Sequence, residues 1–331
     1  MKEFFKYVLA TITGMIVISI IGFVFMLMII GAIVASTEKQ VTVENNSMLV
    51  IDMSHRLVDR ARNDPFEDLN IPGLSVVKSL GLDDIATSLE NAVNDDRIKG
   101  VYLKLSVTNG GMASVEEIRN MLKEFKKASG KPVYAHVEYA MADQKSYYLA
   151  TVADKIVVHP EASIDFRGLG GEMMFYKKLL DKVGVEMQIV RHGKFKAAVE
   201  PFMLDKMSEE NREQQLTYMT SLWNHMLKGI SEARNIPVEK LNVLADEVQT
   251  FNKGTKAVES GLVDAAEYKD EVLDDLRKIA GIEGTKGVPV ISVSKYADVP
   301  VSEKKFSRNK VAVVYASGDI GMSFGSEYID G

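Results

Sequence analysis

The sequence contains no cysteine, and this absence removes several kinds of chemistry at once. Such a chain forms no disulfide, has no thiol nucleophile and offers no thiolate to a metal ion. Histidine, the other side chain typical of transition-metal sites, occurs five times in 331 residues, and no pair stands at the spacing of a helical metal motif. We therefore expect neither a metal nor another cofactor.

The chain also lacks a broad basic region. Its 40 lysines and arginines are spread along the sequence and are outnumbered by 46 acidic residues, giving a formal net charge of -6. A protein that neutralises many phosphates concentrates positive charge on one face, so we expect no nucleic-acid partner. Hydrophobic residues make up 46% of the chain and charged residues 26%, which is a globular composition.

One segment near the N-terminus carries no charge. Residues 7–35 are uncharged, and at 1.5 Å per residue this run exceeds a hydrocarbon core of about 30 Å. It is too long for the apolar region of a cleavable signal peptide, so we predict an uncleaved anchor, with a cut between Ala32 and Ser36 as the alternative. Lys2 and Lys6 precede the run, which places them in the cytoplasm and the later residues outside it.

Apolar strands alternate with amphipathic helices after residue 46. This order predicts an α/β fold with a largely parallel sheet and flanking helices. The predicted strands are 48–53, 100–105, 132–137, 155–159 and 185–190, and the predicted helices are 82–94, 114–130, 145–152, 208–236, 256–260 and 270–279.

Two of these helices have clear local signals. Ser114 and Glu117 have the spacing of a capping box, and Gly130 is placed to end the helix that follows. Its predicted apolar face consists of Val115, Ile118, Leu122 and Phe125. The helix that begins near Ser208 and stops before Pro237 should pack a second apolar face into the core, comprising Leu216, Met219, Trp223, Met226, Leu227 and Ile230.

The strand type found at 47–55 recurs at 309–319, where an apolar strand again leads into a polar turn. We interpret this as an internal duplication with a period of about 260 residues, and as a sign that the sequence is part of a longer protein. The predicted organisation is a cytoplasmic tip and anchor at 1–36, a linker at 37–46, a first repeat at 47–283, a second linker at 284–308 and the start of a second repeat at 309–331.

Several stretches together resemble signal peptide peptidase A, also called protease IV. The stretches are Gly110-Gly111, Gly130-Lys-Pro-Val133, Tyr147-Tyr-Leu-Ala150, Ala153-Asp-Lys-Ile156, Arg191-His-Gly-Lys-Phe-Lys-Ala-Ala-Val-Glu-Pro-Phe202 and Ala257-Val-Glu-Ser-Gly-Leu-Val-Asp264. The resemblance covers about residues 47–331 and implies a Clp/crotonase-like fold. In the long bacterial form, the first half supplies a lysine general base and the second half supplies the serine nucleophile.

The resemblance assigns the general base to Lys196. A lysine base must be a neutral amine at the working pH, whereas an ordinary lysine has a pKa near 10.4. Burial against the second half, with Arg191 and Lys194 nearby, would favour the neutral form. No other catalytic residue is assigned, and no cofactor-binding or metal-binding residue.

The nucleophile is missing from the matching stretch of this chain. Where the family's second half has its serine, the stretch Met141-Ala-Asp-Gln-Lys-Ser-Tyr147 has Gln144. Ser146 lies two residues further on, so on a helix it faces elsewhere, and we interpret it as structural. Gly110 and Gly111 stand where the second half builds an oxyanion hole, and here we expect a turn kept for the fold.

Other polar residues receive no catalytic role. No serine is identified as a nucleophile for His192 to activate. Asp52 and Asp165 are expected to be solvated or capping carboxylates. Glu200 is expected to orient the segment that carries Lys196.

The resemblance implies half of a membrane-bound serine endopeptidase that degrades cleaved signal peptides, inactive without its second half. The implied location is the bacterial inner membrane, with the catalytic part on the periplasmic side. The expected partners are extended peptides, the lipid bilayer and further copies of the chain. Two alternatives stay open: a non-enzymatic membrane scaffold or oligomerisation domain, and a crotonase-like enzyme acting on acyl-CoA thioesters.

Overall fold

A computed structural model describes residues 2–37, 41–61, 78–138, 140–300, 309 and 311–314. The strands in this part of the chain are β1 (Ser47–Asp52), β2 (Arg56–Val58), β3 (Ser79–Gly81), β4 (Ile98–Leu105), β5 (Val133–Val137), β6 (Met141–Ala142), β7 (Lys155–Val158), β8 (Ser163–Ile164), β9 (Ala265–Ala266) and β10 (Val290–Ser292). The α-helices are α1 (Lys2–Thr37), α2 (Leu82–Val93), α3 (Met112–Ser129), α4 (Gln144–Ala150), α5 (Lys177–Val183), α6 (Glu200–Met203), α7 (Glu209–Arg234), α8 (Val238–Asp246), α9 (Gly254–Glu259), α10 (Lys269–Ala280) and α11 (Val293–Tyr296).

A six-stranded sheet has the order β10-β1-β4-β5-β7-β9, and every neighbouring pair is parallel. All five residues of β5 are buried, as expected where both faces of a parallel sheet are covered. Helix α10 covers one face and packs Val272 and Leu276 against Met48 and Tyr134. The prediction of a largely parallel sheet with flanking helices is confirmed.

The structure of helix α3 confirms its predicted apolar face and its predicted end, but the helix begins earlier than predicted. The four predicted apolar residues are all buried, and Gly130 ends the helix in the left-handed conformation, with φ of 68°. The helix begins at Met112 instead of Ser114, because Val115 N already donates to Gly111 O and the turn before the capping box is helical. The capping-box start is therefore wrong by two residues.

Arg119 interrupts the apolar face of α3 and is itself buried, with 1% of its surface exposed. Its Nε donates to Tyr148 O at 3.1 Å, and its Nη2 donates to Thr151 Oγ1 and Gly229 O at 3.1 and 3.0 Å. The guanidinium also lies over the Tyr148 ring, 4.5 Å from its centroid. This one side chain therefore joins α3 to α4 and α7.

Two further predictions need correction. No strand forms at 185–190, where Val190 is fully exposed, because a β-prone apolar run without a neighbouring strand has no ladder to join. Residues 290–296, which were predicted to lie in a linker, form β10 and α11 at the edge of the sheet. There β10 pairs with β1 in the register Met48 to Val290.

Helix α7 follows its prediction at both ends. Ser208 caps its start by accepting a hydrogen bond from Asn211 N at 3.1 Å, and Asn235 ends it in the left-handed conformation. Met226, Leu227 and Ile230 are buried, but Leu216 is 50% exposed, so only the second half of the predicted apolar face lies in the core.

The predicted second repeat at 309–331 lies almost wholly outside the described residues. At the other end, one described helix is long and apolar enough to cross a membrane, over Lys2–Met28, with a mean hydropathy of 2.5 in its most apolar window. This is compatible with the predicted membrane anchor.

Candidate active site

Lys196 lies on an irregular segment between α5 and α6, just before a 3-10 turn at Ala197–Val199. Its backbone N donates to Gly193 O at 3.4 Å, which closes a turn at the start of the motif. The side chain is exposed, and within the described part of the chain its Nζ forms no hydrogen bond or ion pair. The structure therefore presents this amine without a partner.

Glu200 anchors the end of the same segment and is completely buried. Its carboxylate accepts hydrogen bonds from Ser208 Oγ at 2.5 Å, Ser208 N at 3.2 Å and Asn211 Nδ2 at 2.9 Å, and Arg191 lies 3.8 Å away. Burial alone would raise the pKa of Glu200, but these hydrogen bonds and the arginine hold the pKa below its usual value. The carboxylate is therefore ionised and ties the Lys196 segment to the start of α7.

A cleft of about 600 Å³ opens beside Lys196, and we call it the lysine cleft. The residues that line it are Val190, Arg191, His192, Phe195, Lys196, Ala197, Ala198, Val199, Asn211, Gln214 and Gln215. The lining combines apolar groups with the neutral amides of Asn211, Gln214 and Gln215 and with the positively charged Arg191, and it contains no carboxylate.

Gln144 is the first residue of α4, directly after the N-cap Asp143. Its Oε1 accepts from the backbone N–H groups of Arg167 and Gly168 at 2.7 and 2.8 Å, and its Nε2 donates to Gly168 O at 2.9 Å. The carboxamide thus joins the start of α4 to residues 167–168. A side chain in this role has neither the hydroxyl nor the freedom that a nucleophile needs.

Ser146 faces the interior and is completely buried. Its hydroxyl donates to Ser106 O at 2.6 Å and shares a hydrogen bond with Thr108 Oγ1. None of its hydrogen-bond partners is a lysine or a histidine. The interpretation of Ser146 as structural is consistent with this geometry.

Gly110 is required by packing. A Cβ at this position would lie 2.7 Å from Leu57 Cδ1 and 2.8 Å from Leu57 Cβ, so a larger residue would require Leu57 to move. The carbonyl groups of Gly110 and Thr108 accept hydrogen bonds from Lys145 Nζ at 2.9 and 3.0 Å, a contact that the sequence analysis did not find. The expectation of a turn kept for the fold agrees with these contacts.

The remaining candidates have other roles or none. Asp52 accepts hydrogen bonds from Ser54 N and Lys104 Nζ, and the buried Asp165 accepts one from the Thr250 hydroxyl. His192 is exposed at the rim of the lysine cleft. The described residues include no group of three or more His, Cys, Asp or Glu side chains that could hold a metal ion.

Two bacterial proteases are similar to this chain over most of its length. Protease 4 of Haemophilus influenzae is 28% identical over 314 residues, which cover 91% of this chain and 50% of that protein. Protease 4 of Salmonella typhi is 32% identical over 244 residues, covering 72% of this chain and 39% of that protein. The chain is thus related to serine proteases, and it spans half or less of the length of these relatives.

Residues 125–283 match the model of peptidase family S49. The predicted resemblance to signal peptide peptidase A is confirmed. A similar solved structure is a membrane-bound stomatin-specific protease, in mutant form with a substrate peptide. It is 13% identical with a TM-score of 0.38, covering 76% of this chain and 93% of that one. The match to this family and the parallel sheet agree with the predicted Clp/crotonase-like fold.

Proposed function

We propose that this chain is the lysine-bearing half of a membrane-anchored serine endopeptidase that degrades signal peptides, with Lys196 as its general base. The main support is the pairing of two features: an amine without a partner at the lysine cleft, and Gln144 in the place of a nucleophile. One half thus offers a base with no serine, so the serine must come from a second repeat, in the same chain or in a neighbouring copy.

In the complete site, the neutral amine of Lys196 accepts the proton of the serine hydroxyl as the serine oxygen attacks the peptide carbonyl. The resulting ammonium then gives its proton to the leaving amine. Covering the lysine cleft with the second half would remove water and favour the neutral amine before attack. The lining of the cleft contains Arg191 and no carboxylate, which supports this role because a nearby positive charge disfavours the charged form of the amine.

Exposed apolar side chains around the lysine cleft support a partner surface there. Monomeric proteins seldom leave many large apolar groups exposed in one region, and no residue of α5 is buried. Large apolar side chains of this region that are at least 44% exposed include Met174, Leu179, Val183, Val190, Phe195 and Leu216. We infer that the serine-bearing repeat, or another copy of the chain, covers this surface.

The 331-residue chain alone should be catalytically inactive. We expect no hydrolysis of apolar peptides and no labelling by a serine-directed fluorophosphonate, because no hydroxyl stands at position 144 and Ser146 is buried. The measurement is mass spectrometry of the treated chain, with the full-length protein as the positive control. A labelled serine here whose change to alanine abolishes labelling would show that the chain contains a complete site. Failure of the full-length protein to label would favour a non-enzymatic scaffold.

We further propose that the domain after Ser36 lies outside the cytoplasm, since Lys2 and Lys6 are the charges that precede the uncharged run. An alkaline phosphatase fusion after Ser36, active only when exported, should therefore be active. Changing both lysines to glutamate should reduce the exported fraction. An inactive fusion with a folded, membrane-bound reporter contradicts the proposed orientation.

A further inference from the structure

The lysine cleft includes a buried acceptor that has no donor. Asn211 is completely buried, and its Nδ2 donates to Glu200 Oε2 at 2.9 Å. Because an ionised carboxylate only accepts hydrogen bonds, the side chain of Asn211 must place its nitrogen towards Glu200 and its oxygen away from it. That oxygen, Oδ1, has no hydrogen-bond partner among the described residues. A buried carbonyl without a donor is unfavourable and calls for an explanation.

The same cleft contains an amine that has no acceptor. Lys196 and Asn211 both line the lysine cleft, and Lys196 Nζ has no partner in the described part of the chain. Arg191, another donor in the lining, is already placed beside Glu200 at 3.8 Å. We propose that Asn211 Oδ1 accepts a hydrogen bond from Lys196 Nζ once the serine-bearing repeat covers the cleft, which makes Asn211 a positioning residue for the base. The proposal rests on the proposed function.

This contact would direct the lone pair of the amine. A neutral amine has two N–H groups and one lone pair, so an N–H held by Oδ1 limits the directions in which the lone pair points. The lone pair takes the serine proton as the serine O–H bond breaks and the bond from oxygen to the carbonyl carbon forms. The ammonium produced keeps its hydrogen bond to Oδ1. A neutral carbonyl orients the amine without the strong preference for its charged form that a carboxylate would impose.

The support for Asn211 is itself rigid. Ser208 Oγ donates to Glu200 and also accepts from Asn211 N at 3.1 Å, so the cap of α7 and the carboxylate hold one another. Glu200 then holds Asn211 by its nitrogen. The position of Oδ1 is thus fixed by buried contacts that exist before the second repeat arrives, as expected for a preorganised site.

The test uses the full-length protein and a fluorogenic apolar peptide. Asn211→Ala should lower kcat by about 10- to 100-fold, with KM changed less than about twofold, because misplacing a catalytic group slows chemistry more than it weakens binding. Asn211→Ser is the second variant, since it keeps a polar side chain at this buried position but removes the carbonyl oxygen that would hold the amine. It should show the same loss of kcat with a smaller loss of thermal stability.

The control is Tyr148→Phe, which removes the hydrogen bond from Tyr148 Oη to Glu116 at 2.6 Å, in a part of the fold away from the lysine cleft. It should lower Tm while leaving kcat within about twofold, which separates positioning from a general loss of stability. If both Asn211 variants retain kcat within about threefold, the inference is wrong and Oδ1 meets only a buried water. If Lys196→Ala is fully active, the proposed function itself is wrong. If Lys196→Ala is inactive but both Asn211 variants are active, only the positioning role of Asn211 is wrong.

Discussion

Lys196→Ala in the full-length protein is expected to lower kcat about 1,000-fold or more, since general acid–base groups typically contribute factors of 100 to 10,000. The neighbouring variant Lys194→Ala is the matched control, because it removes the same charged group two residues away. Lys194 has 81% of its side chain exposed and lies 3.8 Å from Glu210, a surface pair worth less than about 1 kcal/mol. Its loss should reduce kcat less than about fivefold.

The two variants are compared by steady-state hydrolysis of one peptide substrate, after circular dichroism and thermal unfolding have shown equal folding. Both side chains are exposed, so neither change should lower Tm appreciably. An inactive Lys194→Ala beside an active Lys196→Ala would move the base to the other lysine. Loss of activity in both variants would point to the positive charge of the segment, with neither lysine as a specific base.

Arg119→Met should lower the free energy of unfolding by about 3 kcal/mol. We expect this to be a much larger loss than the same substitution causes at an exposed arginine. Methionine keeps much of the packing, but it leaves Tyr148 O, Gly229 O and Thr151 Oγ1 without their donor, and each buried unsatisfied group costs roughly 1–3 kcal/mol. Some of that cost is relieved because Thr151 Oγ1 also donates to Tyr148 O at 2.7 Å. Urea unfolding of the detergent-solubilised chain measures the change.

Arg212→Met provides the control for the loss of an arginine. Arg212 is exposed on α7, and its substitution should change the free energy of unfolding by less than about 0.5 kcal/mol. A loss below 1 kcal/mol for Arg119→Met would mean that water replaces the guanidinium without penalty. The hydrogen bonds between α3, α4 and α7 would then be dispensable.

Helix α3 shows how far the sequence determines local structure. Val115, Ile118, Leu122 and Phe125 repeat at helical spacing and are all buried, because a helix on a sheet needs one apolar face. The same pattern gave no warning of Arg119, whose backbone acceptors Tyr148 O and Gly229 O lie 29 and 110 residues away in sequence. Such contacts depend on the tertiary fold, which periodicity does not describe.

The candidate site also combines features that the sequence predicts with features that depend on the tertiary fold. The motif around Lys196 and the assignment of Gln144 to the nucleophile's position are predictions from the sequence, because both depend on residue identity at a matched position. The hydrogen bonds that Gln144 Oε1 accepts from the backbone of 167–168, and the unpaired Oδ1 of Asn211, depend on how separate segments meet. The failed strand at 185–190 has the same origin, since strand formation requires a neighbouring strand that local propensity does not supply.

The position of β1 inside the sheet affects how this protein can be made. Its two neighbours are β4, which follows soon in the chain, and β10, which comes near the end of the described domain. Two hydrogen bonds hold the segment of β10 and α11 in place. They join Ser88 Oγ to Val293 O, 205 residues apart in sequence, and Tyr296 to Asp95, 201 residues apart. During synthesis, one edge of β1 therefore remains unpaired until β10 has been made. Strands that pair over such a long sequence separation form slowly, and their unpaired edges are prone to aggregation. A pause in translation before residue 290 would leave every nascent chain with this edge open.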